Sequence, residues 1–259
     1  MSESLLLQSV ARALSVLELL DAHGELGVTE IGQMLSLEKS TAFRLVSTLK
    51  ACKYIVQNPS NSKYSNSYKL FQMGSNVARS TGLPKLGHPF MLELSSRTGE
   101  AVNLAVLDGS RALYISKIES TDSIKVCMNL GQSIPLHCTA LGKALIAHFP
   151  EKRVRELLRD EPLTRFTSNT VSSIDELVED LAGIRARGYS IDNEEHIKGI
   201  RCIASPVFDS TGQVPAALSI ALPQFRFDEN SERERLYDLV RDVARRFSVS
   251  LGWAKVSSS

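Results

Sequence analysis

Two places in this chain set a thiol near an imidazole. His137 adjoins Cys138 and runs on into Thr139, and His196 precedes Cys202 in the stretch "GYSIDNEEHIKGIRCIASPVF", which also carries Asp192, Asn193, Glu194 and Glu195. A thiol beside a base is the composition of a nucleophilic site, and Asp192 with His196 is a candidate metal pair. The spacing specifies neither. The chain contains no G-x-S-x-G, H-E-x-x-H, Walker A or G-x-G-x-x-G pattern, and cysteine is among the most frequently buried residue types. A small-molecule enzyme using Cys202 or Cys138, with an accessory helical domain, is therefore only the alternative reading. A protein-binding adaptor is a third.

A different chemistry suits "PLHCTALGKALIAHF". Here His137-Cys138-Thr139 leads into a helix, and the first turn of a helix offers free N–H groups and the positive end of its dipole to an anion. Downstream, most of the acidic side chains read as a solvated loop. Asp192 and Cys202 are set apart because each falls where loop meets strand and can face a pocket.

The second chemistry-bearing stretch is "LEKSTAFRLVSTLKACKY". Ala42, Leu45, Val46 and Leu49 form one apolar stripe at helical spacing, and Lys39, Ser40, Phe43, Arg44, Ser47 and Lys50 take the opposite side. From residue 36 to 79 there are seven bases and one acid, whereas the residues before that window carry one base and five acids. The whole chain is close to neutral at +1, so its positive charge is concentrated where a polyanion could be met.

The elements around these stretches are legible from periodicity and punctuation. A first helix spans about 9–21 with Val10, Ala13, Leu14, Leu17 and Leu20 on one face. A second starts near Thr29 as N-cap and buries Ile31 and Leu35, and only a short turn separates it from the basic third. That is the order of a helix-turn-helix. "KYIVQN" and "KYSNSYKL", joined by "PSNS", read as a hairpin wing with Lys63 just past its tip. Leu70 onward is helix-compatible as far as Thr81-Gly82, a linker whose Leu70, Phe71, Met73 and Val77 are candidate dimer contacts. Beyond Pro84 come a helix to about Arg97, strands "AVNLAVLD", "RALYISKIE" and "SIKVCMN", helices at about 139–148 and 174–187, strands "GIRCIASPVFD" and "VPAALSIAL", and a last helix with Leu236, Leu239, Val240, Val243, Phe247 and Leu251 in line behind a Ser231-x-x-Glu234 capping box. Hairpin-joined strands with helices grouped around them imply an α+β fold with an antiparallel sheet.

Length suits two domains. The four cysteines, Cys52, Cys127, Cys138 and Cys202, make no C-x-x-C pair, so reduced thiols are expected, with no structural metal and no cofactor. The absence of a long apolar run and of a basic, cleavable leader leads to the expectation of a cytoplasmic protein without membrane contact.

Taken in order, "QSVARALSVLELL", "EKSTAFRLVSTLK", "PLHCTALGKALIA" and "GYSIDNEEHIKGIRCIASPVF" resemble the IclR-type family of bacterial transcriptional regulators from end to end. The resemblance implies a winged helix-turn-helix DNA-binding domain over 1–69, a linker helix over 70–82 and a GAF-like effector-binding domain over 83–259. It also implies double-stranded DNA with a palindromic operator as partner, a homodimer or homotetramer, and a small-molecule effector, for which the helix N-terminus and Asp192 point to a small carboxylate or hydroxy acid. The outward face of the third helix and the wing tip, read from spacing, assign DNA contact to Lys39, Ser40, Thr41, Phe43, Arg44, Ser47 and Lys63. The resemblance, carried over residue by residue, assigns the effector pocket to the backbone amides of Ala140 and Leu141 and to Asp192, Cys202 and Ser219. The chain departs from the family pattern in three places: Ala221 stands where some relatives have a hydroxyl, Cys138 where alanine is usual, and Lys53 where a glycine usually caps the third helix.

Overall fold

The computed structural model describes residues 6–121, 129–227 and 232–254. They divide into two compact units, Met1–Ser80 and Thr81–Ser259.

The smaller unit holds three helices, α1 (Gln8–His23), α2 (Val28–Met34) and α3 (Lys39–Ala51), a two-stranded antiparallel wing, β1 (Ile55–Gln57) and β2 (Tyr64–Asn66), and α4 (Tyr68–Ser80). Val16, Leu20, Ile31, Val46, Leu49, Ile55 and Tyr64 form its core. In α1 the expected face is corrected. Val10 and Leu14 are more than half exposed, and Ala13, Val16, Leu17 and Leu20 turn inward instead. "VARALSVLELL" is apolar nearly all round, so periodicity offered two stripes and only packing against α3 chose one. The start of α2 is corrected as well: Gly27, not Thr29, is the N-cap residue, and Glu30 reaches back to accept its N–H at 2.6 Å. The wing's second strand ends at Asn66, and helix resumes at Tyr68, earlier than the sequence suggests.

The α2–α3 turn depends on a glycine. A Cβ on Gly32 would lie 3.1 Å from the Leu37 carbonyl oxygen, and that carbonyl's own amide donates back to Gly32 O at 2.8 Å. At the other end of α3 the expected glycine is absent, yet the cap forms. Lys53 adopts φ +64°, Tyr54 N–H donates to Leu49 O at 2.9 Å and Lys53 N–H to Lys50 O at 2.9 Å, the two hydrogen bonds of a Schellman cap. A side chain in this left-handed position costs about 1 kcal/mol. Lys53→Gly is thus expected to raise stability by up to about 1 kcal/mol in thermal unfolding, whereas Lys53→Ala gives no gain, because alanine retains the Cβ that creates the strain.

The larger unit is a six-stranded antiparallel sheet in the order β5-β4-β3-β8-β7-β6, built from β3 (Ala101–Asp108), β4 (Arg111–Ile118), β5 (Ser133–Pro135), β6 (Ser190–Asn193), β7 (Ile200–Val207) and β8 (Ala216–Pro223). On one face α5 (Leu83–Thr98) and α9 (Glu232–Ser250) pack through Met91, Leu94, Val240, Val243 and Phe247 onto Leu104, Ile203, Leu218 and Ile220. The other face is covered by α6 (Ala140–Ile146), α7 (Glu151–Leu157) and α8 (Ile174–Arg187), around Ala105, Tyr114, Leu141, Leu145, Leu181 and Ala217. The helix α8 shows why its bounds were readable: Ser173 Oγ accepts from Glu176 N–H at 3.2 Å, and Gly188 closes it at φ +81°. Short elements escaped the sequence, among them β5, α7 and β6. The expected strand "SIKVCMN", all but Asn129, and the Ser231 of the capping box lie outside the described residues. So does Cys127.

Candidate functional site

On α3 the exposed face is as expected: Lys39, Ser40, Phe43, Arg44 and Ser47 are exposed, Thr41 is half-buried, and Ala42, Val46 and Leu49 are buried. The basic residues, however, divide into two kinds. Lys50 donates to Gln57 Oε1 at 2.7 Å, and Lys69 donates to Cys52 O at 2.9 Å from above the Tyr54 ring. Lys63 is paired with Glu30 at 3.2 Å. These three brace the wing and the α3 terminus. The side chains of Lys39, Arg44 and Lys53 have no partner among the described residues. Arg44, with Thr41 and Thr48, also lines a groove against Gln8 and Arg12 of α1. Local charge was therefore visible in the sequence, but which cations are free to meet a phosphate was not.

In the larger unit the second constellation lies between α6 and the sheet. Thr139 caps α6, its Oγ1 accepting from Gly142 N–H at 3.1 Å and donating to Pro135 O at 2.6 Å. A Cβ on Gly142 would come within 2.7 Å of both the Pro135 and Leu136 carbonyl oxygens, so only glycine lets this turn lie so close to the end of β5. Ser190 Oγ donates to Ala140 O at 2.6 Å and fastens β6 to the same turn. The N–H groups of Ala140 and Leu141 have no partner among the described residues, although both residues are buried. A buried, unpaired N–H costs about 1–3 kcal/mol.

Asp192 lies where strand meets loop, one residue before the end of β6, directly opposite Cys202, which in turn is opposite Ala221 on β8. One step along the same sheet face, Ser219 is flanked by Ala204 and Asn103. Asp192 is buried, and its Oδ1 accepts from the N–H groups of Glu195 at 2.7 Å and His196 at 3.4 Å. Burial, reinforced by the nearby Glu195 carboxylate, pushes its pKa up to about 7. Asn103 and Tyr114 belong to this group but were not singled out from the sequence. Both are buried, and their side chains, like that of Ser219, make no hydrogen bond among the described residues. Asn103 left a signal, as the one amide in the apolar strand "AVNLAVLD"; Tyr114 left none.

The thiols do not form a nucleophilic centre. Burial pushes Cys138 up to about 12 and holds Cys202 well above its ordinary value, with the Asp192 and Glu195 carboxylates adding to both shifts. A thiolate is the reactive form. His137 is engaged elsewhere, its Nε2 3.1 Å from Thr164 O. His196 meets Asp192 through its backbone, and no cluster of three metal-ligating side chains occurs among the described residues.

Unpaired polar groups beside unreactive thiols suit the holding of a ligand better than nucleophilic chemistry, and the other unit presents a basic helix. The comparisons with known proteins join the two. Residues 9–59 match the IclR helix-turn-helix domain, and residues 75–249 match the family described as bacterial transcriptional regulator IclR C-terminal. The HTH-type transcriptional regulator KdgR of Escherichia coli (strain K12) is 36% identical over 245 residues, covering 95% of this chain and 93% of that protein. The HTH-type transcriptional repressor AllR of the same strain is 33% identical over 246 residues, covering 95% and 90%. The crystal structure of Thermotoga maritima IclR superposes with a TM-score of 0.78 at 31% identity, covering 96% of this chain and all of that one. A helix-turn-helix match in the smaller unit, a match along nearly the whole larger one and relatives aligned over 95% of the chain place it in the IclR family of bacterial transcriptional regulators, a family of DNA-binding proteins and not of enzymes.

Proposed function

We propose that this protein is a cytoplasmic repressor of a catabolic operon that changes its hold on a palindromic operator when a small hydroxy acid binds the larger unit. The observation that carries the effector reading is the pair of buried, unpartnered N–H groups at Ala140 and Leu141, set on the sheet face that bears Asp192, Cys202 and Ser219. The amides suit a ligand carboxylate. Asp192 and Ser219 suit hydroxyl groups, and Asn103 offers a further amide where Ala221 lacks a hydroxyl. The repressor sense rests on similarity to AllR.

On the DNA side, Arg44 is the residue assigned to base contact, since it is exposed, without a partner among the described residues and on the outward face of α3. A bidentate arginine–guanine pair contributes about 1–3 kcal/mol of discrimination, whereas Lys39 on a phosphate sets affinity and salt dependence. Arg44→Ala is expected to weaken operator binding by roughly 5- to 150-fold with relaxed specificity. Lys63→Ala should matter less, because Glu30 already holds that lysine. Operator titrations of both variants across salt concentrations decide it, and unchanged affinity and salt slope in Arg44→Ala rule out α3 as the reader.

The expected partner of α4 is a second copy. Phe71 and Val77 are largely exposed, Met73 is nearly half exposed, and Tyr68 at the start of the helix is 88% exposed. Two recognition helices about 34–36 Å apart, as adjacent major grooves require, need a two-fold pair. Sedimentation at micromolar concentration is expected to give a dimer or tetramer, which Phe71→Glu weakens. A wild-type monomer that binds a palindrome tightly contradicts the assignment.

A further inference from the structure

A second cavity of about 310 Å³ opens at the β6 edge of the sheet, where α8 from one face and α9 from the other approach the edge strand. Its cations are Lys143, Arg187, Arg201 and Arg233, against the carboxylates of Asp180 and Glu195. These groups are not equally committed. Lys143 is shared between Asp180 and Glu195, and Arg187 is paired with the other oxygen of Asp180 at 2.9 Å.

Arg201 and Arg233 are the exceptions. The Arg201 side chain is only 14% exposed, yet its guanidinium makes no hydrogen bond among the described residues; its one carboxylate neighbour, Glu194, stands 3.9 Å away. Arg233 likewise makes no hydrogen bond or ion pair among them. Both guanidiniums lie over the Phe227 ring, at 5.0 and 5.3 Å from its centroid, and the Nε of each is buried without a partner. An enclosed guanidinium with its N–H donors unused is expensive, because it has lost water and gained nothing of equal strength. Each of the two lies over the same ring and both line one cavity whose other cations are paired with carboxylates, so their unused N–H donors are open to an acceptor from outside.

We propose that this cavity is a second ligand site, separate from the pocket at Asp192, which takes a compact oxyanion, a carboxylate or a phosphate, between Arg201 and Arg233. The two sites share Glu195. Its backbone N–H holds Asp192, its Oε1 accepts from Lys143, and the residue lines the second cavity with its Oε2 buried and without a partner. An anion drawn in beside Arg201 acts on that same carboxylate through charge. The second site is therefore coupled to the first, in the sense that a ligand in one alters the free energy of binding in the other.

The test is calorimetric titration of the full chain with inorganic phosphate at fixed ionic strength, with chloride as the control anion. Saturable binding of one phosphate per chain is expected, weakened at least tenfold by Arg201→Gln and by Arg233→Gln, and only partly by Arg201→Lys, which keeps the charge but loses the fork. Arg233→Gln carries the test if Arg201→Gln lowers the melting temperature through lost packing on Phe227. Ser219→Ala and Arg44→Ala separate this cavity from the effector pocket and from the DNA face, and each should leave phosphate affinity within twofold. No saturable phosphate binding beyond the chloride control, binding unchanged in both arginine-to-glutamine variants, or binding lost in Ser219→Ala or Arg44→Ala overturns the proposal.

Discussion

Replacing Lys143 with methionine is expected to destabilise the larger unit by about 3–5 kcal/mol, the cost of breaking a buried ion pair from one side. Lys143 is 1% exposed. Burial by itself disfavours its charge, but the Glu195 carboxylate at 2.7 Å and that of Asp180 at 2.9 Å hold its pKa above the ordinary lysine value. Methionine nearly preserves the volume and removes the charge, leaving Glu195 with no cation at hydrogen-bonding distance and Asp180 with Arg187 alone. For a unit of this size 1 kcal/mol corresponds to about 2–4 °C, so the melting temperature should fall by roughly 6–20 °C. Adding Glu195→Gln to Lys143→Met should recover much of the loss, because the stranded charge is then gone. A single variant that melts within 2 °C of wild type would show that the carboxylates find other partners. Since Glu195 N–H also orients Asp192, the same variant is expected to bind effector more weakly even below its melting temperature.

The other large effect is a pH dependence centred on Asp192. Its folded-state pKa of about 7 lies above the ordinary aspartate value of 3.8, chiefly through burial. The native chain therefore holds a proton that the unfolded chain has lost between those two values. The stability this proton contributes is complete below about pH 4 and is lost as pH rises through 7, which leaves a native-state cost on the order of 4 kcal/mol at pH 8.5. Asp192→Asn keeps an oxygen for the Glu195 and His196 amides and removes the ionisation. It should be more stable than wild type at pH 8.5 and no more stable near pH 4.

Effector binding follows the same proton. A ligand carboxylate on the Ala140 and Leu141 amides is repelled by an ionised Asp192 and accommodated by a protonated one. Affinity for hydroxy acids should consequently fall above pH 7, by up to about tenfold per unit. Calorimetric titration of wild type and Asp192→Ala with hydroxy acids and their deoxy analogues measures this directly. Equal binding of hydroxy acids by the two proteins, or affinity that rises with pH, contradicts the assignment of Asp192 to the pocket.

What the sequence by itself determined was whatever depends on neighbours a few residues away. The bounds of α8 follow from Ser173 and Gly188, the strand β3 from an unbroken β-prone run, the hairpin to β4 from Asp108-Gly109, and the outward face of α3 from a helical stripe that left one side free of acids. Tertiary structure decided the rest. Only packing could choose between two apolar stripes on α1 or make a strand of the four residues of β6, which are too few to announce themselves. That choice set Asp192 against Cys202 and buried it, which raises its pKa. Lys143 looked like an ordinary helix lysine because its partners, Asp180 and Glu195, lie 37 and 52 residues away in sequence. The same holds for the cations around α3: their sum was written in the sequence, but the fold alone tied up Lys50, Lys63 and Lys69 and left Lys39 and Arg44 without a partner among the described residues. Burial and pairing across long sequence separations set the charge state of a group, and local pattern carries neither.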